Sequence, residues 1–172
     1  MAAPEALSRF YIDSVGTHHT PEARIGAAWM TREDREHEIR DYVAYLDALA
    51  GNLLEGMDRS AVRLVAFGFS QGVATVTRWA ARGGTRVDRM ILWAGSLPED
   101  LVLAEHRDRF GAAPVTCVFG DHDEFFNDGA IARQQGRMRD AGIPFAFVRF
   151  GGGHTIDPQT LERLATPAAF GR

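Results

Sequence analysis

From residue 61 onward, four short apolar runs alternate with segments of helical spacing, and this alternation leaves the chain few folds to choose from. The runs are AVRLVAFGF (61–69), VDRMILWAG (87–95), APVTCVFGD (113–121) and PFAFVRFGGG (144–153). Each is nearly continuously apolar, as strands covered on both faces are. QGVATVTRWAARGG (71–84) and NDGAIARQQGRMRDAG (127–142) read as helices, PEDLVLAEHRDRF (98–110) as a less regular helical stretch, and DPQTLERLA (157–165) as a closing helix. Strands alternating with helices form a parallel sheet with helices on both sides. The expected class is therefore α/β, with three layers around a mainly parallel sheet. Residues 1–172 are expected to form one domain, since no repeat or low-complexity linker interrupts them.

Upstream, Ile39, Tyr42, Val43, Leu46, Leu49 and Leu53 recur at helical spacing, with Gly56 as a stop. Thr31 is the expected N-cap and Asp34, three residues on, completes a pattern like a capping box. Residues 1–30 have no clear period, and GTHHTPEAR (16–24) reads as a loop.

The remaining bulk properties mainly exclude. Acidic and basic residues are interspersed and sum to a net charge of −4, which argues against nucleic acid as the main partner. No apolar run approaches the roughly 18–20 residues of a membrane span, and the N-terminus has no basic segment followed by an apolar one. The single cysteine, Cys117, cannot form an internal disulfide, so a cytoplasmic location is expected.

In an open α/β sheet, active-site residues collect at the carboxyl ends of the strands. Ser70 follows the first run, Asp121 and Asp123 the third, and His154 the fourth. A nucleophile, an acid and a base thus stand in the order Ser, Asp, His. Ser70 lies within Gly68-Phe69-Ser70-Gln71-Gly72, between a strand and a helix. A tight turn there lifts the hydroxyl clear of the backbone and crowds the positions two before and two after, where Gly68 and Gly72 carry no side chain. It also aims the first amides of the helix at the reacting atoms, so the Gln71 N–H is an expected oxyanion donor. His154 is the expected general base. Asp123 is the expected acid, with Asp121 second.

GFSQG (68–72), WAGSLP (93–98), FGDHDEFF (119–126) and GGGHTI (151–156) together resemble the carboxylesterase/phospholipase group of α/β-hydrolases, which includes the acyl-protein thioesterases. The resemblance runs from about Trp29 to the end. It implies an α/β-hydrolase fold and a triad of Ser70, Asp123 and His154, with Asp123 matching the acid of a Gly-x-x-Asp turn that starts at Gly120. It further implies carboxylic ester hydrolysis without metal or organic cofactor. Members of the group begin with further strands and a His-Gly loop that gives a second oxyanion amide. A chain shortened at its N-terminus is therefore expected, with either weak activity or a homodimer covering an open sheet edge.

The expected function is a serine carboxylesterase acting on short- to medium-chain esters of small molecules. A lysophospholipase or acyl-protein thioesterase is the alternative, as is a non-catalytic ester-binding protein. Trp29, Leu97, Phe125 and Phe126 are candidate acyl-pocket residues. Trp79, Trp93 and Cys117 are expected in the core. No metal is expected at GDHDE (120–124), because adjacent turn side chains rarely converge on one ion. THHT (17–20) reads as a solvated loop.

Overall fold

The computed structural model describes residues 1–13 and 20–165, so most of the THHT stretch lies outside the described residues. Each of the four apolar runs contains a strand: β3 (Val65–Phe69), β4 (Arg89–Trp93), β5 (Val115–Gly120) and β6 (Phe145–Phe150). They pair in parallel in the order β3-β4-β5-β6. The joining helices are α2 (Gln71–Arg82), α3 (Arg107–Gly111), preceded by a 3₁₀ turn at Leu103–His106, and α4 (Asp128–Asp140). The first run shortens: residues 61–64 lie outside β3. The irregular 98–110 stretch becomes the 3₁₀ turn and α3.

The period of two along each strand sorts its side chains between two helical layers. Met90, Leu92, Val115, Cys117 and Phe119 join Ile39, Tyr42, Val76, Phe110, Ile131 and Met138 in one cluster beneath α1 (Arg35–Leu54), α2, α3 and α4. Ile91, Trp93, Val118 and Phe150 point the other way and meet Leu161 and Leu164 of α5 (Pro158–Ala165). Trp93, Tyr42, Ile39 and Met90 are fully buried, each contributing about 1.5–3 kcal/mol of burial.

Two expectations near the N-terminus need correction. The stretch without a period contains two strands, β1 (Ser8–Tyr11) and β2 (Ile25–Ala28), paired antiparallel as a separate ribbon. With one pairing partner each and side chains largely exposed, they have no buried face to impose an alternating pattern. The capping box does not form. Asp34 caps α1 in the left-handed region, and its side chain makes no cap hydrogen bond. Instead Glu38, a turn into the helix, reaches back to the Thr31 N–H (2.6 Å), the Thr31 hydroxyl (3.0 Å) and the Ser8 hydroxyl. Gly56 follows the helix at φ 72, a left-handed stop suited to glycine.

Candidate active site

Ser70 is the hinge between β3 and α2. Its φ of 52 and ψ of −117 lie where a side chain is strained by about 1–3 kcal/mol. The surrounding structure holds it there: the Ser70 N–H donates to the Trp93 carbonyl at 2.9 Å, and the Ser70 carbonyl accepts from the Val73 N–H at 3.0 Å. The two flanking glycines differ in role. A Cβ on Gly68 would sit 2.4 Å from the Gly72 carbonyl oxygen, so this close approach requires glycine. A Cβ on Gly72 would meet nothing within 4 Å, so the expected crowding there is not found.

The expected acid and base, Asp123 and His154, arrive on the loops after β5 and β6. These loops continue the strand pairing: Asp121 N–H donates to Phe150 O and His122 N–H to Gly152 O, both at 2.9 Å. The approach leaves no room for a side chain on Gly120, whose Cβ would fall 2.2 Å from Gly152 O. Asp123 then meets His154. The Nδ1 of His154 lies 3.0 Å from Asp123 Oδ2, and its Nε2 lies 3.0 Å from Ser70 Oγ. A proton on Nδ1 would be donated to Asp123, leaving Nε2 to accept from the Ser70 hydroxyl. The Asp123 side chain is fully buried and its Oδ1 accepts the Phe125 N–H at 2.9 Å. Asp121 turns elsewhere and pairs with Arg149 at 2.8 Å.

The other candidates scatter around this centre. Gln71 opens α2, where backbone N–H groups lack intrahelical acceptors. Phe125, largely exposed, sets its ring edge-on to His154 at 4.7 Å, and Phe126 stacks on it at 6.2 Å while packing against Phe119. Leu97 is buried and lines an apolar crevice with Val73, Phe119, Ile131 and Met138, with room for about one water. Cys117 lines it too, and burial pushes its thiol up to about 12, which leaves it inert. Trp29 is half-buried and its backbone N–H donates to the Gln71 side chain at 3.1 Å. Among the described residues, no three His, Cys, Asp or Glu side chains are grouped to hold a metal.

Two contacts to His154, and one to the residue after it, had no separate signal in the sequence. Phe69 packs 5.0 Å from the His154 ring, and Glu124 accepts the His154 N–H at 3.3 Å. Trp93, expected only as core, also donates its indole N–H to Thr155 O at 2.8 Å. Phe69 could have been suspected from its place beside Ser70. The other two depend on how separate loops converge.

Behind α2 lies a charge cluster. Arg78, nearly fully buried, donates to Asp100 Oδ1 at 2.5 Å and to Tyr42 Oη at 3.2 Å, while Arg35 and Arg82 also pair with Asp100. Burial pushes the Asp100 carboxyl up, but the hydrogen bond and charge of Arg78, with Arg35, outweigh it and hold it down at about 2.

Comparison with known proteins agrees with this architecture. The chain is similar in fold to acyl-protein thioesterase 2 of Zea mays (TM-score 0.62, 19% identity, covering 83% of this chain and 71% of that one). It is also similar to Arabidopsis thaliana SOBER1 (TM-score 0.65, 17% identity, 83% and 72%). A third likeness is to a Bacillus cereus carboxylesterase (TM-score 0.60, 14% identity, 78% and 63%). The chain thus spans between about two thirds and three quarters of the length of these proteins. No curated protein matches it in sequence. The family model for dienelactone hydrolases, however, matches residues 7–156, from the N-terminal ribbon to just past His154. The chain has the α/β-hydrolase fold and belongs to the dienelactone hydrolase family.

Proposed function

We propose that this hydrolase is a serine carboxylesterase acting on short- to medium-chain carboxylic esters through an acyl-enzyme on Ser70. The observation that carries the reading is the hydrogen-bond relay from buried Asp123 through His154 to Ser70, with both His154 contacts at 3.0 Å. In the reaction, His154 Nε2 takes the Ser70 proton as Oγ bonds to the ester carbonyl carbon. The carbonyl oxygen becomes an oxyanion facing the Gln71 N–H at the positive end of α2. The intermediate collapses, the C–O bond to the alcohol breaks, and His154 returns the proton to the leaving alkoxide. Water, deprotonated by His154, then adds to the acyl carbon, the Ser70 Oγ–acyl bond breaks, and His154 returns the proton to Oγ as the acid leaves. Asp123 orients the imidazole and stabilises it when charged.

A lysophospholipase or acyl-protein thioesterase reading draws on the likeness to the Zea mays protein and predicts rates that rise steadily with acyl length. Rates on p-nitrophenyl esters from two to sixteen carbons separate the two.

Within the described sheet, β3 pairs with β4 alone, and its Phe67 is exposed. A second copy covering that edge is a separate part of the proposal, and a strict monomer at micromolar concentration overturns that pairing alone. No helix among the described residues is long and apolar enough to cross a membrane. A cytoplasmic site of action fits the lone, buried Cys117.

The primary test is intact mass after incubation with a fluorophosphonate, run beside Ser70→Ala. One adduct on the wild type and none on the variant is the expected result. No adduct on folded wild-type protein overturns the esterase reading and leaves ester binding without turnover.

A further inference from the structure

The Gln71 side chain makes two bonds that neither helix formation nor oxyanion binding asks of it. Its Oε1 accepts the Trp29 backbone N–H at 3.1 Å, and its Nε2 donates to the Met30 backbone carbonyl at 2.9 Å. A primary amide carries the same donor and acceptor as a peptide group, so Gln71 engages residues 29–30 as a neighbouring strand would. The two bonds cross more than forty residues of sequence. They join the residue directly after Ser70 to the short strap between the end of β2 at Ala28 and the start of α1 at Arg35. The strap lies beyond the β1–β2 ladder, which ends at Ala28.

The strap, bonded through its backbone to the residue after Ser70, carries two large half-buried side chains that pack against the core beneath α1 and α2. The Trp29 ring meets Tyr42 edge-on with centroids 6.2 Å apart. The Met30 thioether lies within hydrogen-bond reach of Arg35 Nη1 at 3.1 Å. The strap is therefore held from below by α1 and α2, and its backbone is registered to the nucleophile by one side chain.

We propose that the Gln71 side chain is a positioning residue that clamps the Trp29–Met30 strap beside Ser70. Trp29, so held, forms the wall of the acyl site that sets the accepted chain length. This inference rests on the esterase reading and goes beyond it by giving one residue two separable tasks. The backbone N–H faces the oxyanion, while the side-chain amide fixes the strap. Replacing the side chain removes the two strap bonds, so the informative readouts are strap mobility and the ratio of rates on two substrates, not the overall rate.

The test has an arm that needs no turnover. Trp79 and Trp93 are buried and Trp29 is half-buried, so acrylamide quenching of tryptophan fluorescence reports mainly on Trp29. Gln71→Met removes both bonds at similar volume and is expected to increase quenching, with the increase absent when Trp29→Phe is added. The second arm is the ratio of kcat/KM for p-nitrophenyl octanoate to that for the acetate. It is expected to shift by about tenfold in Gln71→Met, mainly through KM, and by a similar factor in Trp29→Ala. The double variant should shift it no further than Trp29→Ala alone, because the clamp acts through the ring it holds.

Unchanged quenching, or additive shifts in the double variant, overturns the proposal. Should Gln71→Met fail to fold, Gln71→Glu is read in the same way, since at neutral pH its carboxylate cannot donate to Met30. If the wild type is neither labelled by fluorophosphonate nor active, the esterase reading falls and the acyl wall with it. The quenching arm still decides the clamp.

Discussion

The four-stranded sheet and the N-terminal ribbon use similar residues to opposite ends. Every residue of β4 and β5 is buried, whereas three of four in β1 are exposed, Phe10 among them, along with Ile12 and Ile25 on or beside the ribbon. The sheet strands are parallel, so helices must cross over their faces and cover them. The ribbon strands are antiparallel neighbours that need no crossover helix. The ribbon is tethered instead by polar bonds, chiefly those of Glu38 to Ser8 and Thr31. The contrast shows where the molecule places precision. Ser70, Asp123 and His154 all follow strands of the buried sheet, and among the described residues the ribbon is joined to the site by the strap at its end.

The largest effect should come from the sheet's carboxyl end. Ser70→Ala is expected to lower kcat by about 10⁶-fold, measured on p-nitrophenyl acetate, with the melting temperature little changed. A deficit under tenfold would remove Ser70 from the chemistry. Next is the charge cluster behind α2. Asp100→Ala leaves Arg78 buried without its carboxylate and should cost about 3 kcal/mol in urea unfolding at pH 7. Because the Asp100 carboxyl is held at about 2, below its ordinary 3.8, its stabilisation is complete above about pH 4 and is lost as pH falls toward 2. The gap between wild type and variant should therefore close over that interval. A gap independent of pH would mean that packing, not charge, explains the loss.

Trp93→Phe removes the indole donor to Thr155 and should lower kcat/KM by about tenfold through misplacement of His154. The slower reaction of Ser70 with fluorophosphonate would be read alongside it. The smallest effect should come from the ribbon. Glu38→Gln is expected to alter global stability by no more than about 0.5 kcal/mol while speeding amide exchange across Ser8–Tyr11. A global loss comparable to that of Asp100→Ala would erase the distinction between the two regions.

The same distinction explains what could be read from sequence. The sheet and its helices were legible because burial on two faces writes long apolar runs, and the turn after each run marks where functional groups sit. Ser70, Asp123 and His154 stood out in this way, by their position after strands, and the structure brings their side chains within hydrogen-bond reach of one another. The ribbon was illegible because exposed strands carry no periodic constraint, so Phe10 and Ile25 read as noise. The N-cap was misread for a related reason. Thr31 and Asp34 have the right spacing, but Glu38 takes the Thr31 groups through a tertiary arrangement that also involves Ser8. Gly72 looked equivalent to Gly68 in the motif, and only the path of the backbone separates them. Trp93's bond to Thr155 joins residues 62 apart in sequence.

Trp93 also sets a length. Its carbonyl takes the Ser70 N–H, and its indole holds the Thr155 carbonyl just past His154. The span between Ser70 and His154 is thus gauged across a single fully buried residue, from its backbone carbonyl to its indole, not across two loops free to drift independently. A loop end can wander with temperature or solvent, but an indole ring does not stretch. Small changes in sheet twist would therefore carry nucleophile and base together, and the gap a proton must cross would be conserved as long as Trp93 stays seated.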